Sequence, residues 1–532
     1  MKMINIQFKT ISKILLLGFA ISFSSCSDFL EEKVFTQITN EYLISTPEGM
    51  SATVNAMYAK DRYIFRSNAD TETELWTNMM RGTDISVARA GSGSNEFGRY
   101  ADLLPTNGVV KNFWNHHYML IGYANIIAYA FENVDQEDPI AVKAVAEARA
   151  FRAHSYFWLL RRFDRIHLTT RVTTPENVND PIEYKPADPQ DVYRLINDDL
   201  DFAIAHLDWK SEAGRFNQAV ARHLRAEVAL WQKDYQQAID QTEEIFNSNV
   251  YSLVSLDQLF SSADLNHSES LLLSCWSKDL GGNNITGSGT KPSGHRLSLH
   301  FIPRYEKLNG VKRTQEDGGY AWARTFPNDY LLGLYDKVAD KRFTTFYKHN
   351  WVYNDAEKLP SGKVLGDTVI TSSKSVYFEQ LHPGCIKYMD SWTRTVDETE
   401  SFKDIILYRL AQTYLIAAEA NLMMNNQEKA REYFNKTYMR AGNAAFTGDI
   451  TLEMIIEEHA RELAFEGHRW FFLKRLGLLV ERVQLHGGEK TEMVNDISGR
   501  KNIQPFHVRW PIPQVEIDNM GKENFPQNEG YN

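Results

Sequence analysis

Ala219 to Phe246 reads AVARHLRAEVALWQKDYQQAIDQTEEIF. Apolar residues recur at three- and four-residue spacing on both sides of Lys233-Asp234, which predicts two amphipathic helices joined by a short turn there. Ala226 and Ala238 occupy small positions where two helix backbones can approach closely. Leu410 to Ala441 repeats the arrangement, with Ala418 and Ala430 at the same twelve-residue separation and Asn426 near the turn. One hairpin of this kind leaves an apolar face that only a neighbouring hairpin covers, so two copies imply further helical pairs.

The small-large packing is that of tetratricopeptide-type hairpins, and the rest of the chain supplies candidates for the missing helices. Helical spacing extends over Thr46–Tyr63, Asn112–Phe131 and Ala141–Phe163, and over Ala187–Leu207, where Asp188-Pro189 reads as a cap followed by a proline in the first turn. Between the hairpins, residues 251–402 change character. Leu271–Trp276 is a short apolar run, whereas Gly281-Gly282-Asn283-Asn284, Gly287-Ser288-Gly289 and Pro292-Ser293-Gly294 are turn material. The expected fold class is mostly α, with tetratricopeptide-like helical hairpins and a large irregular, loop-rich insertion. Its parts are a signal segment at 1–25 and one domain at 26–532. Within that domain, a helical frame covers 40–250 and 403–480, the insertion 251–402, and a closing segment 481–532.

The beginning of the chain carries Lys2, Lys9 and Lys13 with no acidic residue, then an apolar run from Ile14 to Ile21, then Ser24-Ser25-Cys26. This order predicts a secretory signal with Cys26 as a lipidation site. The apolar run is too short for hydrocarbon that needs ~20 residues to cross. Without the three signal lysines the formal charge moves from −11 to −14. That acidity gives no support to nucleic-acid binding and suits a neutral or cationic ligand. Cys275 and Cys385 are the remaining cysteines, and they either pair or stay buried and free. The fold therefore rests on its core and not on a disulfide framework.

Several ordered segments resemble the SusD/RagB family of surface lipoproteins. They include Ser27-Asp28-Phe29-Leu30, Phe113-Trp114 through Ala124-Asn125, Glu147 to Ala153 running on to Tyr156-Phe157, and Asp340-Lys341-Arg342-Phe343. Leu407 to Ala411, Arg461 to Trp470 (RELAFEGHRW), Arg509-Trp510-Pro511-Ile512-Pro513 and Pro526 to Tyr531 complete the pattern. Phe472 and Glu529 depart from it, standing where an aspartate and a proline are usual. The resemblance implies a non-enzymatic protein at the outer membrane, held by lipid on Cys26. Such a protein binds oligo- or polysaccharide and loads it into a TonB-dependent, SusC-like transporter. In starch-binding relatives the loop matching Gly82–Gly108 offers a tryptophan to the sugar. Here it offers Asp84, Arg89, Asn95, Phe97, Arg99 and Tyr100 instead, so starch does not transfer.

Sugars present C–H-rich faces to aromatic rings and hydroxyls to planar polar partners. Tyr320 and Trp322, followed by Arg324 and preceded by Gly318-Gly319, combine these elements within the insertion. Together with Asp84, Arg89, Asn95 and Tyr100 they are the candidate glycan-binding residues, although Trp322 fits the core equally well. Trp276, Trp231, Trp470 and Trp510 read as structural. Carboxylate pairs such as Glu72/Glu74 and Glu457/Glu458 read as solvated helix faces, and Glu466 to Arg469 as a structural network within a helix. His116-His117 points apart on a helix and makes a poor metal pair, and no phosphate-binding loop is present. No catalytic residue, metal or cofactor is expected. The alternatives are a surface scaffold or peptide binder, or a glycan-degrading enzyme.

Overall fold

The sequence folds, in a computed structural model that describes residues 45–66, 75–88, 96–279, 294–488 and 499–531, around a stack of helices that begin on recognisable caps. Helix α1 (Pro47–Asp61) starts with the Thr46 hydroxyl accepting the Gly49 N–H at 3.1 Å. Helix α2 is Gly108–Phe131, α3 is Pro139–Phe163 and α4 is Pro189–His206. The Asp138 carboxylate caps α3 and that of Asp188 caps α4, each followed by proline in the first turn, where a missing N–H costs nothing. The described residues belong to the unit Ile44–Asn532. Cys26, the signal segment and the turns at 281–293 lie outside them.

The two hairpins close by one device. Helices α5 (Gln218–Gln232) and α6 (Tyr235–Asn247) are joined by Lys233, left-handed at φ 61°, and Asp234, whose carboxylate accepts the Gln237 N–H. Helices α7 (Leu410–Met423) and α8 (Gln427–Arg440) are joined by Asn425, at φ 59°, and the cap Asn426. Helices α2 to α6 pack each on the next, and α6 then packs directly on α7, across the whole insertion in sequence. Ala226, Ala229, Ala238 and Ala420 are fully buried at this junction with Ile416. Helix α9 (Leu452–Leu463) follows on α7 and α8, and α10 is Arg469–Arg475.

Among the described residues, six short strands belong to three separate antiparallel pairs: β1 (Ser86–Ala88) with β3 (Thr325–Pro327), β2 (Ser270–Ser274) with β6 (Ile405–Arg409), and β4 (Tyr347–Lys348) with β5 (Gly384–Cys385). The β2–β6 pair ties the start of the insertion to its end, so a long excursion leaves and re-enters the frame at one place. Cys275 and Cys385 are both free. Among the described residues no helix is long and apolar enough to cross a membrane.

Where the insertion meets the frame, a buried charge network runs beside apolar contacts such as Phe301 on Phe465. Arg409 donates to Glu269 at 2.9 Å, to Glu462 at 2.6 Å and to Glu466 at 2.7 Å. Arg342 binds Asp340, Glu458 and Glu462, and Lys387 binds Glu466. Two sequence expectations change here. Glu458 is fully buried and pairs with Arg342 and Arg461, so it is no solvated face. Glu466 to His468 lie in a turn between α9 and α10, where Phe465 and Gly467 take positive φ and a Cβ on Gly467 would meet the Trp76 ring at 2.7 Å. The network reading of that motif holds. Phe472, at the position where an aspartate is usual, stacks on His459 with 4.0 Å between centroids.

Candidate functional site

Segment 318–324 carries the aromatic candidates and is held by backbone bonds on both sides. The Tyr320 N–H donates to the Val396 carbonyl at 2.8 Å and the Trp322 N–H to the Leu299 carbonyl at 2.7 Å. Gly319 allows this approach, since a Cβ there would lie 2.8 Å from the Val396 oxygen. Tyr320 and Trp322 are both half-buried, on a loop and not in the core. The Arg313 guanidinium lies 4.6 Å from the Tyr320 ring centroid and pairs with Asp397 at 2.8 Å. Arg324 lies 4.5 Å from the Trp322 centroid, with the His300 ring edge-on at 5.1 Å. Burial lowers the Arg324 pKa from its ordinary value. Each ring is thus held in place by a cation, a contact worth about 0.5–1 kcal/mol where exposed.

The 82–108 loop does reach this segment. In the β1–β3 register Ala88 lies opposite Thr325, which sets the chain leading to Arg89 beside Arg324. Arg89 and Asn95 themselves lie outside the described residues. Asp84 and Tyr100 need correction as sugar contacts. Asp84 is fully buried, gripped by Arg469 at 2.8 and 2.6 Å and by Arg482 at 3.3 Å. Burial alone would raise its pKa, but Arg469 and Arg482 outweigh that and hold it below the ordinary carboxylate value. Tyr100 is buried too, its hydroxyl donating to the Gly82 carbonyl and accepting the Trp470 indole N–H at 3.1 Å. Both serve the frame. Trp276 and Trp351 are buried, as are Trp470 and Trp510, while Trp231 is half-buried.

The tryptophan that stands out most is one of the insertion's aromatic residues that the sequence marks as a place for ligand contacts, but not one of those singled out as candidates. Trp392 is 48% exposed, whereas the other ten are buried or half-buried. The signal available was Asp390-Ser391-Trp392-Thr393, an Asx-turn pattern that fixes the backbone of the ring it carries. Asp390, itself buried, accepts the N–H groups of Trp392 and Thr393 at 2.9 Å each and the Ser401 hydroxyl at 2.7 Å.

A cleft of about 470 Å³ lies elsewhere, lined by Tyr58, Phe151, Phe216 and Leu273 among others, and it shares no residue with this aromatic face. Of the charged residues that line it, Arg215 pairs with Glu147 and Asp61 contacts the His116 imidazole. His116 and His117 do not converge on a metal, and among the described residues no group of three or more His, Cys, Asp or Glu is placed to hold one.

The profile of the SusD family matches residues 283–531, which include Tyr320, Trp322, Trp392 and Arg409. SusD-like protein P25 of Formosa agariphila is 25% identical over 95% of this chain and 97% of its own length. Over that stretch the chain carries the SusD family's profile, and relatives described as SusD-like align along nearly all of its length. Solved structures agree on the fold. A SusD homolog from Bacteroides thetaiotaomicron superposes with a TM-score of 0.74 at 21% identity, over 92% of this chain and 99% of its own. A structure described as a laminarin-binding SusD-like protein does so with a TM-score of 0.69 at 22% identity, over 92% and 100%. A starch-binding protein of Bacteroides thetaiotaomicron, SusD, is 31% identical over 24% of this chain and 22% of its own length.

Proposed function

We propose that this SusD-like protein captures a neutral glycan at the cell surface and passes it to a TonB-dependent, SusC-like outer-membrane transporter, while lipid on Cys26 holds it to the membrane. The observation that carries the reading is the pair of half-exposed, cation-backed rings of Tyr320 and Trp322, with Arg324 beside them, on a rigid loop of a SusD fold. Neutrality of the ligand follows from charges that border the face in matched pairs: Arg313 with Asp397, Lys278 with Glu398, Arg296 with Glu400. Such a border has little net field to attract a uronic or sulfated chain. The relative described as binding laminarin, a neutral glucan, agrees with this.

A glycan array run beside a hydrolysis assay tests the reading. Binding without turnover is the expected result, and silence on the array would move the protein to the role of a docking scaffold. Trp322→Ala should weaken the best array hit by about ten-fold, or ~1–2 kcal/mol, with little change in melting temperature. A variant that melts early yet keeps its affinity would place Trp322 in the core. For the anchor, wild type should partition with membranes and need detergent, and Cys26→Ala should become soluble. Identical fractionation of the two would remove Cys26 as the lipid site.

A further inference from the structure

An exposed tryptophan taken singly needs no explanation, because folded proteins leave much apolar surface in water. Trp392 differs in how it is presented. Its backbone is pinned by the buried Asp390 carboxylate, which also holds Thr393 and Ser401. Behind the ring, 4.9 Å from its centroid, stands the buried Lys403 ammonium, itself donating to the carbonyls of Phe260 at 2.6 Å and Met389 at 3.1 Å. A ring backed by a lysine side chain that two carbonyls hold in place has given up freedom before any ligand arrives, so stacking on it costs little further entropy. The sequence spends buried charge and a closed hydrogen-bond knot on keeping one indole rigid and half in water.

The same loop is bonded to the segment that bears Tyr320. Gln315 donates its amide to the Ser391 carbonyl at 2.7 Å, and Arg394 donates to the Tyr320 carbonyl at 3.1 Å. The strand of loop that ends in Trp392 and the strand that ends in Tyr320 and Trp322 therefore move as one body.

We propose that Trp392 is a second sugar-stacking subsite, separate from the Tyr320–Trp322 rings but rigidly coupled to them, so that the protein grips a polysaccharide along its length and not at a single residue. The proposal rests on the glycan-binding reading above and adds the residue and the mode of grip. Two rings on one rigid body engage one chain with the second contact made at high effective concentration. Affinity should therefore rise from short to long oligosaccharides of one linkage, and Trp392 should supply the increment.

The test uses the mature protein and an array of α- and β-glucans, mannans, xylans, galactans and uronic-acid polysaccharides, followed by titration calorimetry with a length series of the best-binding linkage. Trp392→Ala should lose about ten-fold or more of the affinity for long chains and little for the shortest ligand that binds. Trp392→Phe should retain most of it. The melting temperatures should stay within about 2 °C of wild type, as for other surface changes. Iodide quenching of the unaltered protein gives a readout free of any variant. The part of the quenchable tryptophan signal that Trp392→Phe removes should be shielded when the long chain is bound. Wild-type binding that Trp392→Ala leaves intact at every length, or a Trp392-dependent quenchable signal that bound glycan does not shield, overturns the subsite and leaves the glycan reading standing. A wild type that binds nothing on the array overturns the reading and the subsite together.

Discussion

Replacing Arg409 with alanine should destabilise the protein by about 3–5 kcal/mol, because it removes a buried cation and leaves its carboxylates behind. Arg409 is 1% exposed and donates to Glu269, Glu462 and Glu466 from the end of β6, where the insertion rejoins the helical frame. Lys387, Arg342 and Arg440 remain as partners for those three acids, so the site is left with excess negative charge and not with bare ions. For a chain of this length such a loss corresponds to a fall of roughly 3–5 °C in melting temperature. Arg409→Lys keeps the charge but loses the planar fork that binds Glu466 through two nitrogens, and should fall in between. The defect should also depend on pH. Burial alone would raise the pKa of Glu466, but Arg409 and Lys387 outweigh it and hold the group at about 2, and Glu462 too is held well below its ordinary value. Carboxylates depressed in the folded state stabilise it above their unfolded pKa of about 4.5 and lose that contribution as pH falls toward 2. Wild type should therefore lose stability across that window, and the gap between wild type and Arg409→Ala should narrow with it. Scanning calorimetry at pH 7 and pH 3 measures both. Equal melting at pH 7 would show that the charged seam does not hold the insertion to the frame.

That seam marks the limit of what spacing reveals. The helices were legible because a 3.6-residue apolar period, an Asp-Pro or Thr-Pro start and a left-handed stop are all local, and α1 to α8 begin and end within a few residues of where those signals lie. The twelve-residue spacing of Ala226 to Ala238 and of Ala418 to Ala430 likewise anticipated two hairpins that close alike, because small residues at a helix crossing leave a trace in sequence. Glu458 was misread as solvated since nothing near it in sequence announces Arg342, its partner 116 residues away. For a similar reason Trp392 was not singled out. Both it and Trp351 in the same insertion carry a lysine ammonium over the ring, at 4.9 and 5.1 Å, so what distinguishes Trp392 is exposure, which depends on how loops pack. Conversely, the 82–108 loop does pair with residues 325–327 through strands β1 and β3, while Asp84 and Tyr100, two of the side chains chosen from that loop, are buried.

Asp84 makes the strongest test of that last distinction, since Asp84→Ala should cost about 3–5 kcal/mol of stability and leave glycan affinity unchanged. As a surface residue it would have contributed a hydrogen bond to a sugar hydroxyl and little to folding. As observed, it is fully buried and accepts both edges of the Arg469 guanidinium, which is itself 3% exposed, while Arg482 approaches its second oxygen. Arg482 keeps Glu453 at 2.7 Å when Asp84 is gone, but Arg469 is left with the Ile456 carbonyl as its remaining described hydrogen-bond partner. An arginine stranded in this way stays charged and pulls in water or unfolds its surroundings. Asp84→Asn keeps an acceptor for one guanidinium edge and loses the charge, so it should melt between wild type and the alanine variant. Because the Asp84 turn leads straight into β1, affinity has to be measured well below the melting temperature, where the β1–β3 pair beside Arg324 remains formed. Early melting with unchanged affinity is the expected result. Weakened binding at an unchanged melting temperature would instead put Asp84 at the sugar, and the buried Asp84–Arg469–Arg482 contact would not be the state that binds.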